Sequence, residues 1–164
     1  MNKGNIHDRI SEAESLYQTH GQRILALPEM NRCLTCYDLA IENTQALMRQ
    51  TGAAAACSLC AKKTGSCCFQ EVETWYDPML LLINLLLGAP LPHFRSLSGE
   101  CFFLGKQGCL LRARYAFCLN YLCPSLRTQL GPAGAKALLA AVGEELAAGW
   151  EMEQALYRLL SKKT

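Results

Sequence analysis

The stretch Asp77-Pro-Met-Leu-Leu-Leu-Ile-Asn-Leu-Leu-Leu-Gly88 contains the longest apolar run of the chain and predicts a central helix. An aspartate followed by a proline is a typical helix start, because the carboxylate caps free N–H groups and proline fits the first turn. Gly88, followed by Pro90 and Pro92, predicts the end of the helix. A helix that spans a bilayer needs about 20 apolar residues, which this run lacks. The stretch therefore predicts a short helix buried in a protein core.

Length and composition favour one domain, residues 1–164, around that core. The chain has 164 residues, 51% of them hydrophobic and only 18% charged. A chain of this length buries a core without disulfide bonds, so its 10 cysteines are not needed to stabilise the fold. The net charge of +2 is too small to indicate nucleic acid, and the low charge excludes a disordered charged tail.

Helical spacing of apolar residues predicts N-terminal helices within residues 1–56. A first helix is expected to begin near Ile6 and to stop at Gly21. Pro28 then separates it from a second helix, about Cys33 to Gln50, which Thr51-Gly52 ends.

Further helices and a hairpin are predicted on the other side of the central stretch. Two apolar runs around a glycine-bounded turn, Gly105 to Gly108, indicate a short hairpin. A helix is expected from Arg114 to Leu122, and C-terminal helices cover 132–160 with a break near Gly149. The predicted fold is mostly α, a helical array around a cysteine-rich metal-binding centre (57–124) with one short β-hairpin.

The first residues, Met1 to Tyr17, are polar and amphipathic and lack the apolar stretch of a secretory signal. We therefore expect a cytoplasmic protein that does not enter a membrane. In a reducing compartment, paired cysteines are metal ligands or redox groups more often than structural disulfides. A secreted disulfide scaffold fits the even cysteine count but not this N-terminus.

Cysteine spacing predicts where the metal would bind. A gap of two residues, as in Cys57-Ser-Leu-Cys60, lets both thiolates face one metal while the backbone turns around it. Neighbouring side chains diverge, so the adjacent pair Cys67-Cys68 is expected to serve two different metals, or to supply one ligand only. The predicted ligands fill two four-thiolate sites, or one cluster with redox-active thiols to spare: Cys57, Cys60, Cys67, Cys68, Cys101, Cys109, Cys118 and Cys123.

The order of these eight cysteines resembles the YkgJ-type cysteine-cluster family, whose signature is a CxxC followed closely by a CC pair. The resemblance runs from Cys57 to Pro124 and implies a zinc- or iron-chelating domain. Six residues separate Cys60 from Cys67, where the family usually has two or three. Arg114-Tyr115 stands where an Arg-Pro step is typical.

Several residues outside this set are further candidates for the metal site. Cys33-x-x-Cys36 is a ligand pair, a redox dithiol or a core feature of its helix. His93 is the histidine nearest the cysteines in sequence, and a minor candidate ligand. Cations flanking the cysteines would compensate the negative charge of a metal–thiolate site, or form a solvated basic face. These cations are Lys62, Lys63, Arg112 and Arg114.

The sequence favours a non-catalytic metal-binding protein, with zinc as the cofactor and an iron–sulfur cluster as the alternative. It has no paired carboxylates at acid–base spacing, no glycine-rich phosphate loop and no nucleophile elbow. The competing hypotheses are a redox or group-transfer protein that uses an iron–sulfur cluster or spare thiols, and a zinc-organised adaptor with a protein partner. Tyr115, Phe117 and Tyr121 recur at a spacing that favours core packing over base stacking, which makes nucleic acid a poor partner.

Overall fold

The structure is a computed structural model that describes residues 5–60, 62 and 66–161. It confirms a mostly α fold with one short antiparallel hairpin. The helices are α1 (Ile6–Ala26), α2 (Pro28–Gln50), α3 (Ala53–Cys60), a 3-10 helix (Gln70–Trp75), α4 (Pro78–Leu86), α5 (Ala116–Asn120) and α6 (Pro124–Ser161). The hairpin pairs β1 (Leu104–Gly105) with β2 (Gly108–Cys109), with Leu104 opposite Cys109.

The part of the chain that the structure describes contains no helix with the length and hydropathy needed to cross a membrane. Predictions about the first four residues and about Lys63 lie outside the described residues.

Helix α4 lies in the main core, as its sequence predicts. The Asp77 carboxylate accepts a hydrogen bond from the Leu80 N–H at 2.8 Å, which caps the helix. Gly88 has a φ of 76°, a left-handed conformation that glycine adopts without strain and that ends a helix. Leu81, Leu82 and Ile83 are fully buried. Helix α1 packs against α4, and α2 packs along α6.

Asn84, the polar residue inside the apolar stretch, ties α4 to the segment that follows the hairpin. Its side-chain NH₂ donates to the carbonyls of Leu80 at 3.0 Å and Ala113 at 2.9 Å. Its side-chain oxygen accepts the N–H groups of Arg112 at 2.8 Å and Ala113 at 2.9 Å. A fully buried amide with every one of these bonds formed holds a loop in one place. Asn84 thereby fixes the chain between Cys109 and Cys118.

The predicted helix end at Gly21 and the predicted helix break near Gly149 are wrong. Each glycine lies inside a helix, where the absence of a side chain leaves space for a tyrosine. Gly21 lies inside α1, where a Cβ would come within 3.0 Å of the Tyr17 ring. Gly149 lies inside α6, where a Cβ would come within 2.9 Å of Tyr37 on α2. The non-helical backbone in α6 occurs instead at Gly131, whose φ is 65°.

The boundaries of α1, α2, α5 and α6 differ from the prediction, and α6 begins at Pro124 rather than at residue 132. Helix α2 begins at Pro28 itself, because the proline occupies its first turn, and α1 runs on to the preceding Ala26. Helix α3 was not predicted, and it places the first CxxC motif at its C-terminal end. Helix α5 is shorter than the predicted Arg114–Leu122.

The apolar interior comprises a main core and a smaller cluster beside the cysteine segments. The smaller cluster joins residues of α3 and α5 to both halves of α6: Ala53, Leu119, Leu122, Leu126, Leu138 and Val142. Tyr115 and Phe117 are half-buried against the main core, whereas the predicted core residue Tyr121 is 44% exposed.

We predict that Asn84→Ala lowers the free energy of unfolding by about 3 kcal/mol, because it leaves the N–H groups of Arg112 and Ala113 and the Ala113 carbonyl without this partner. Urea denaturation followed by circular dichroism measures the change. Asn43→Ala, at an exposed position of α2, is the control and should change stability by less than about 0.5 kcal/mol. Equal effects of the two substitutions would contradict this role of Asn84.

Candidate metal centre

The eight predicted ligands come from separate elements. Cys68, Cys101 and Cys118 pack against the main core, and Cys123 packs against the smaller apolar cluster. Cys57 and Cys60 lie on α3, Cys109 ends β2 and Cys118 lies on α5. The other four lie in connecting segments: Cys67, Cys68, Cys101 and Cys123. All ten cysteines of the chain are described, and none forms a disulfide. Burial ranges from the buried Cys101 to Cys57 and Cys109, which are exposed over the residue as a whole although burial of the sulfur raises the pKa of each thiol.

Backbone pairing brings the adjacent cysteines against Cys101. The Cys101 N–H donates to the Cys68 carbonyl at 2.8 Å, and Phe69 forms an antiparallel bridge with Glu100. The Ser66 hydroxyl donates to the Glu100 carboxylate at 2.7 Å and accepts the Cys68 N–H at 3.2 Å. This segment therefore has a defined position before any metal binds.

A first set of thiols surrounds Cys57. Partial burial raises the pKa of the Cys57 thiol, and the negative charges of Cys67, Cys123 and Cys60 raise it further. These thiols therefore lie within electrostatic range of one another. The first set consists of Cys57, Cys60, Cys67 and Cys123.

A second set surrounds the start of the hairpin. Burial raises the pKa of Cys101 to about 12 and that of Cys118 to about 11, and the charge of Cys109 contributes to both shifts. The charges of Cys109 and Cys118 also raise the pKa of Cys68. The second set consists of Cys68, Cys101, Cys109 and Cys118.

The adjacent residues Cys67 and Cys68 join the two sets. Their side chains hydrogen-bond to each other, which lowers the pKa of Cys67 and raises that of Cys68. Cys67 acts on Cys57 and also on Cys118, whereas Cys68 is affected by Cys109 and Cys118. The two sets are therefore in electrostatic contact with each other.

Hydrogen-bond donors point at three sulfurs of the second set. The N–H of Phe103 donates to Cys101, and the N–H of Leu111 donates to Cys109, in each case from two residues further along the chain. The Tyr76 hydroxyl lies 3.6 Å from the Cys118 sulfur. Because that hydroxyl already accepts the Tyr115 N–H at 3.1 Å, its own proton is available to the sulfur. Donors in these positions stabilise thiolates.

A buried ion pair holds the start of the second set. Both oxygens of Glu73 contact Arg95 at 2.8 Å, and the Phe102 N–H donates to the same carboxylate at 2.9 Å. Arg95 also donates to the Glu100 carbonyl. The chain on either side of Cys101 is therefore anchored to the 3-10 helix.

Of the cations considered from sequence, Arg114 acts on the cysteines. Its positive charge lowers the pKa of Cys57, Cys109 and Cys118, against the larger effect of burial. Arg112 pairs instead with two carboxylates of α2, Asp38 at 2.6 Å and Glu42 at 2.7 Å. Lys62 is exposed.

Glu145 is a fully buried acid of α6 that sequence reasoning missed, because it reads as one more glutamate of an Ala- and Leu-rich helix. Both carboxylate oxygens lack a hydrogen-bond partner. The Thr44 hydroxyl near it donates to the Ala40 carbonyl. Burial raises the pKa of Glu145, and Thr44 and the charge of Arg114 oppose that rise.

Exposed aromatic side chains border the second set on the outside. Trp75 packs edge-on against Phe117 at 5.1 Å between ring centroids, and Phe117 stacks on Tyr121 at 5.0 Å. Phe69, next to Cys68, contacts both Trp75 and Phe117. An apolar shell of this kind limits the access of water to a metal site.

The remaining candidates stand apart from both sets. Cys33 is half-buried against the main core, and Cys36 is exposed on α2. His93 is exposed and lies 3.3 Å from the Glu14 carboxylate.

Within the described residues, no three side chains among His, Cys, Asp and Glu are placed so that they could hold a metal ion as they stand. The two sets are therefore neighbourhoods of thiols rather than formed coordination spheres.

No protein-family model, no curated protein and no solved structure matches this chain.

We predict that Glu73→Gln lowers the free energy of unfolding by about 2 kcal/mol, because it removes the charge that pairs with Arg95 in a largely buried site. Glu71→Gln is the matched control on the same 3-10 helix, where Glu71 is exposed and should tolerate the change. Thermal or urea unfolding measures the loss of stability in each variant. Equal losses in the two variants would contradict the anchoring role of Glu73.

We predict that Glu145→Gln becomes more stable relative to the wild type as the pH rises. The raised pKa of Glu145 means that its contribution to stability is complete below the unfolded value of 4.5 and is lost as the pH rises through the folded value. Glutamine has no such loss. Urea unfolding at pH 4.5 and pH 8 should therefore show the difference growing with pH. Glu144→Gln, at an exposed position, should show no growth, and a constant difference for Glu145→Gln would contradict the prediction.

Proposed function

We propose that this protein is a non-catalytic metal-binding protein whose eight grouped cysteines bind zinc in two four-thiolate sites. The first site uses the first set, and the second site uses the second set. The observation that carries the proposal is the mutual influence of the thiols, because cysteines from six separate segments of the chain affect one another's pKa values.

Ligand chemistry supports a soft or borderline metal. Thiolates are the ligands that zinc, copper(I) and iron–sulfur clusters take, whereas magnesium and calcium take carboxylate and carbonyl oxygens. Four thiolates close a tetrahedral zinc site and leave no position for a reactive water, so zinc here would organise structure rather than hydrolyse a substrate.

The surroundings of the second set fit a metal–thiolate centre. The donors from Phe103, Leu111 and Tyr76 supply the outer hydrogen bonds that such sulfurs need. Arg114 supplies positive charge near both sets. Rotation of each cysteine between staggered conformers changes the position of its sulfur, and the proposal requires such movement when the metal binds.

The resemblance to the YkgJ-type cysteine-cluster family supports the same proposal, because it runs through all eight of these cysteines. The proposal includes a reducing compartment such as the cytoplasm, where thiols remain available as ligands.

An iron–sulfur centre is the second candidate, favoured by the same hydrogen bonds. Donors to cysteine sulfur are among the features that set the potential of iron–sulfur clusters. This candidate makes the protein an electron carrier or redox protein.

Metal analysis of protein purified anaerobically, without added metal, tests the proposal. We predict colourless protein with about two zinc ions per chain. Brown protein containing iron and inorganic sulfide would overturn zinc in favour of the second candidate. Folded protein that contains no metal and takes up none would overturn both.

Paired substitutions test the assignment of ligands to sites. Cys57→Ser with Cys123→Ser should remove one ion, and Cys101→Ser with Cys118→Ser should remove the other. Cys33→Ser with Cys36→Ser is the matched control and should keep both ions. Loss of metal from the control alone would contradict the assignment.

A further inference from the structure

A cavity of about 460 Å³ lies where α1 meets α2 and the last turns of α6 pack beside them. Leu27 is the single residue between α1 and α2, and it lines the cavity together with residues from the start of α2 and the end of α6. Pockets that hold small molecules have volumes of about 300–1,000 Å³, so this cavity has the size of a ligand site. None of its lining residues is a cysteine, which separates it from both cysteine sets.

The inner surface of this cavity is apolar. Met30 of α2 and Ala155 of α6 are the most buried of its lining residues, each 4% exposed. Leu27 and Leu159 are half-buried beside them, and Pro28 is exposed. A methionine side chain is unbranched and adapts its shape to what it contacts. The cavity therefore offers the apolar part of a ligand a surface that can adjust to it.

The charged lining residues are exposed and form the mouth of the cavity: Glu29, Arg32 and Arg158. Within the part of the chain that the structure describes, neither arginine lies within 4 Å of a carboxylate, and Glu29 pairs with neither of them. Two guanidinium groups outweigh one carboxylate, so the mouth carries a net positive charge. A guanidinium matches the geometry of a carboxylate, with which it forms two parallel hydrogen bonds.

We propose that this cavity binds a fatty-acid-like monocarboxylate, with its alkyl chain against Met30 and Ala155 and its carboxylate at Arg32 and Arg158. A small hydrophilic anion would use the arginines and leave the apolar surface empty. A neutral apolar molecule would use the apolar surface and leave the arginines without a partner. A carboxylate on an alkyl chain uses both parts of the cavity. The proposal goes beyond metal binding and does not depend on it.

Isothermal titration calorimetry with straight-chain ligands tests the class of ligand. Octanoate should bind about tenfold or more tightly than 1-octanol, which has the same chain without the charge. In the series hexanoate, octanoate and decanoate, below their micelle concentrations, each added methylene should tighten binding about two- to fourfold. No binding of octanoate, or equal affinities for octanoate and 1-octanol, would overturn the proposal.

Methyl NMR of protein labelled at its methionines tests where octanoate binds. The Met30 methyl signal, assigned by its loss in Met30→Leu, should shift as octanoate is added. Met48 and Met79 do not line the cavity, and their signals should stay in place. Shifts at Met48 or Met79 without a shift at Met30 would place octanoate elsewhere and overturn the site.

Substitutions at the mouth test the role of the charges. Arg32→Gln and Arg158→Gln should each weaken octanoate binding about three- to tenfold, whereas Glu29→Gln should tighten it about twofold. Arg23→Gln is the matched control, because Arg23 is exposed in the last turn of α1 and does not line the cavity. It should change the affinity by less than about twofold.

All four side chains at these positions are exposed, so the variants should keep the wild-type fold, which circular dichroism checks. Arg32→Gln and Arg158→Gln variants that bind octanoate as tightly as Arg23→Gln does would overturn the role of the arginines. These outcomes are distinct from failure of the proposed function, which is measured by the metal content of the protein.

Discussion

Repulsion between cysteine thiolates is the constraint on which the account of this structure depends. Burial and the neighbouring thiols together raise the pKa of Cys101 and Cys118 far above the ordinary value of a thiol. Thiols in such surroundings stay protonated and uncharged at neutral pH unless a cation stabilises the thiolate form. The proposed zinc ions would be those cations, one for each set.

Buried polar side chains provide the framework that holds these thiols near one another. Asn84 fixes the segment between Cys109 and Cys118 to α4, and Glu73 with Arg95 fixes the segment around Cys101. Both anchors make hydrogen bonds to backbone groups rather than to the cysteines. The loops therefore gain their position from the helical core.

The sequence predicted the elements whose causes are local. Asp77-Pro78 and Gly88 bound α4 because capping and left-handed backbone are properties of single residues. The predicted interruptions at Gly21 and Gly149 are wrong because each glycine makes space for a tyrosine. The tyrosine beside Gly149 lies on another helix. The eight candidate ligands were identifiable from their spacing, but their division into two sets depends on three-dimensional proximity. Glu145 could not be found in the same way, because its significance lies in its burial without a partner.

X-ray absorption spectroscopy at the zinc edge of the purified protein tests the central claim most directly, because it reports which atoms bind the metal and how far away they are. The account predicts four sulfur neighbours per zinc at about 2.3 Å, with no nitrogen or oxygen ligand. Zinc surrounded by nitrogen or oxygen atoms at about 2.0–2.1 Å would contradict the account, because the metal would then lie outside the two cysteine sets.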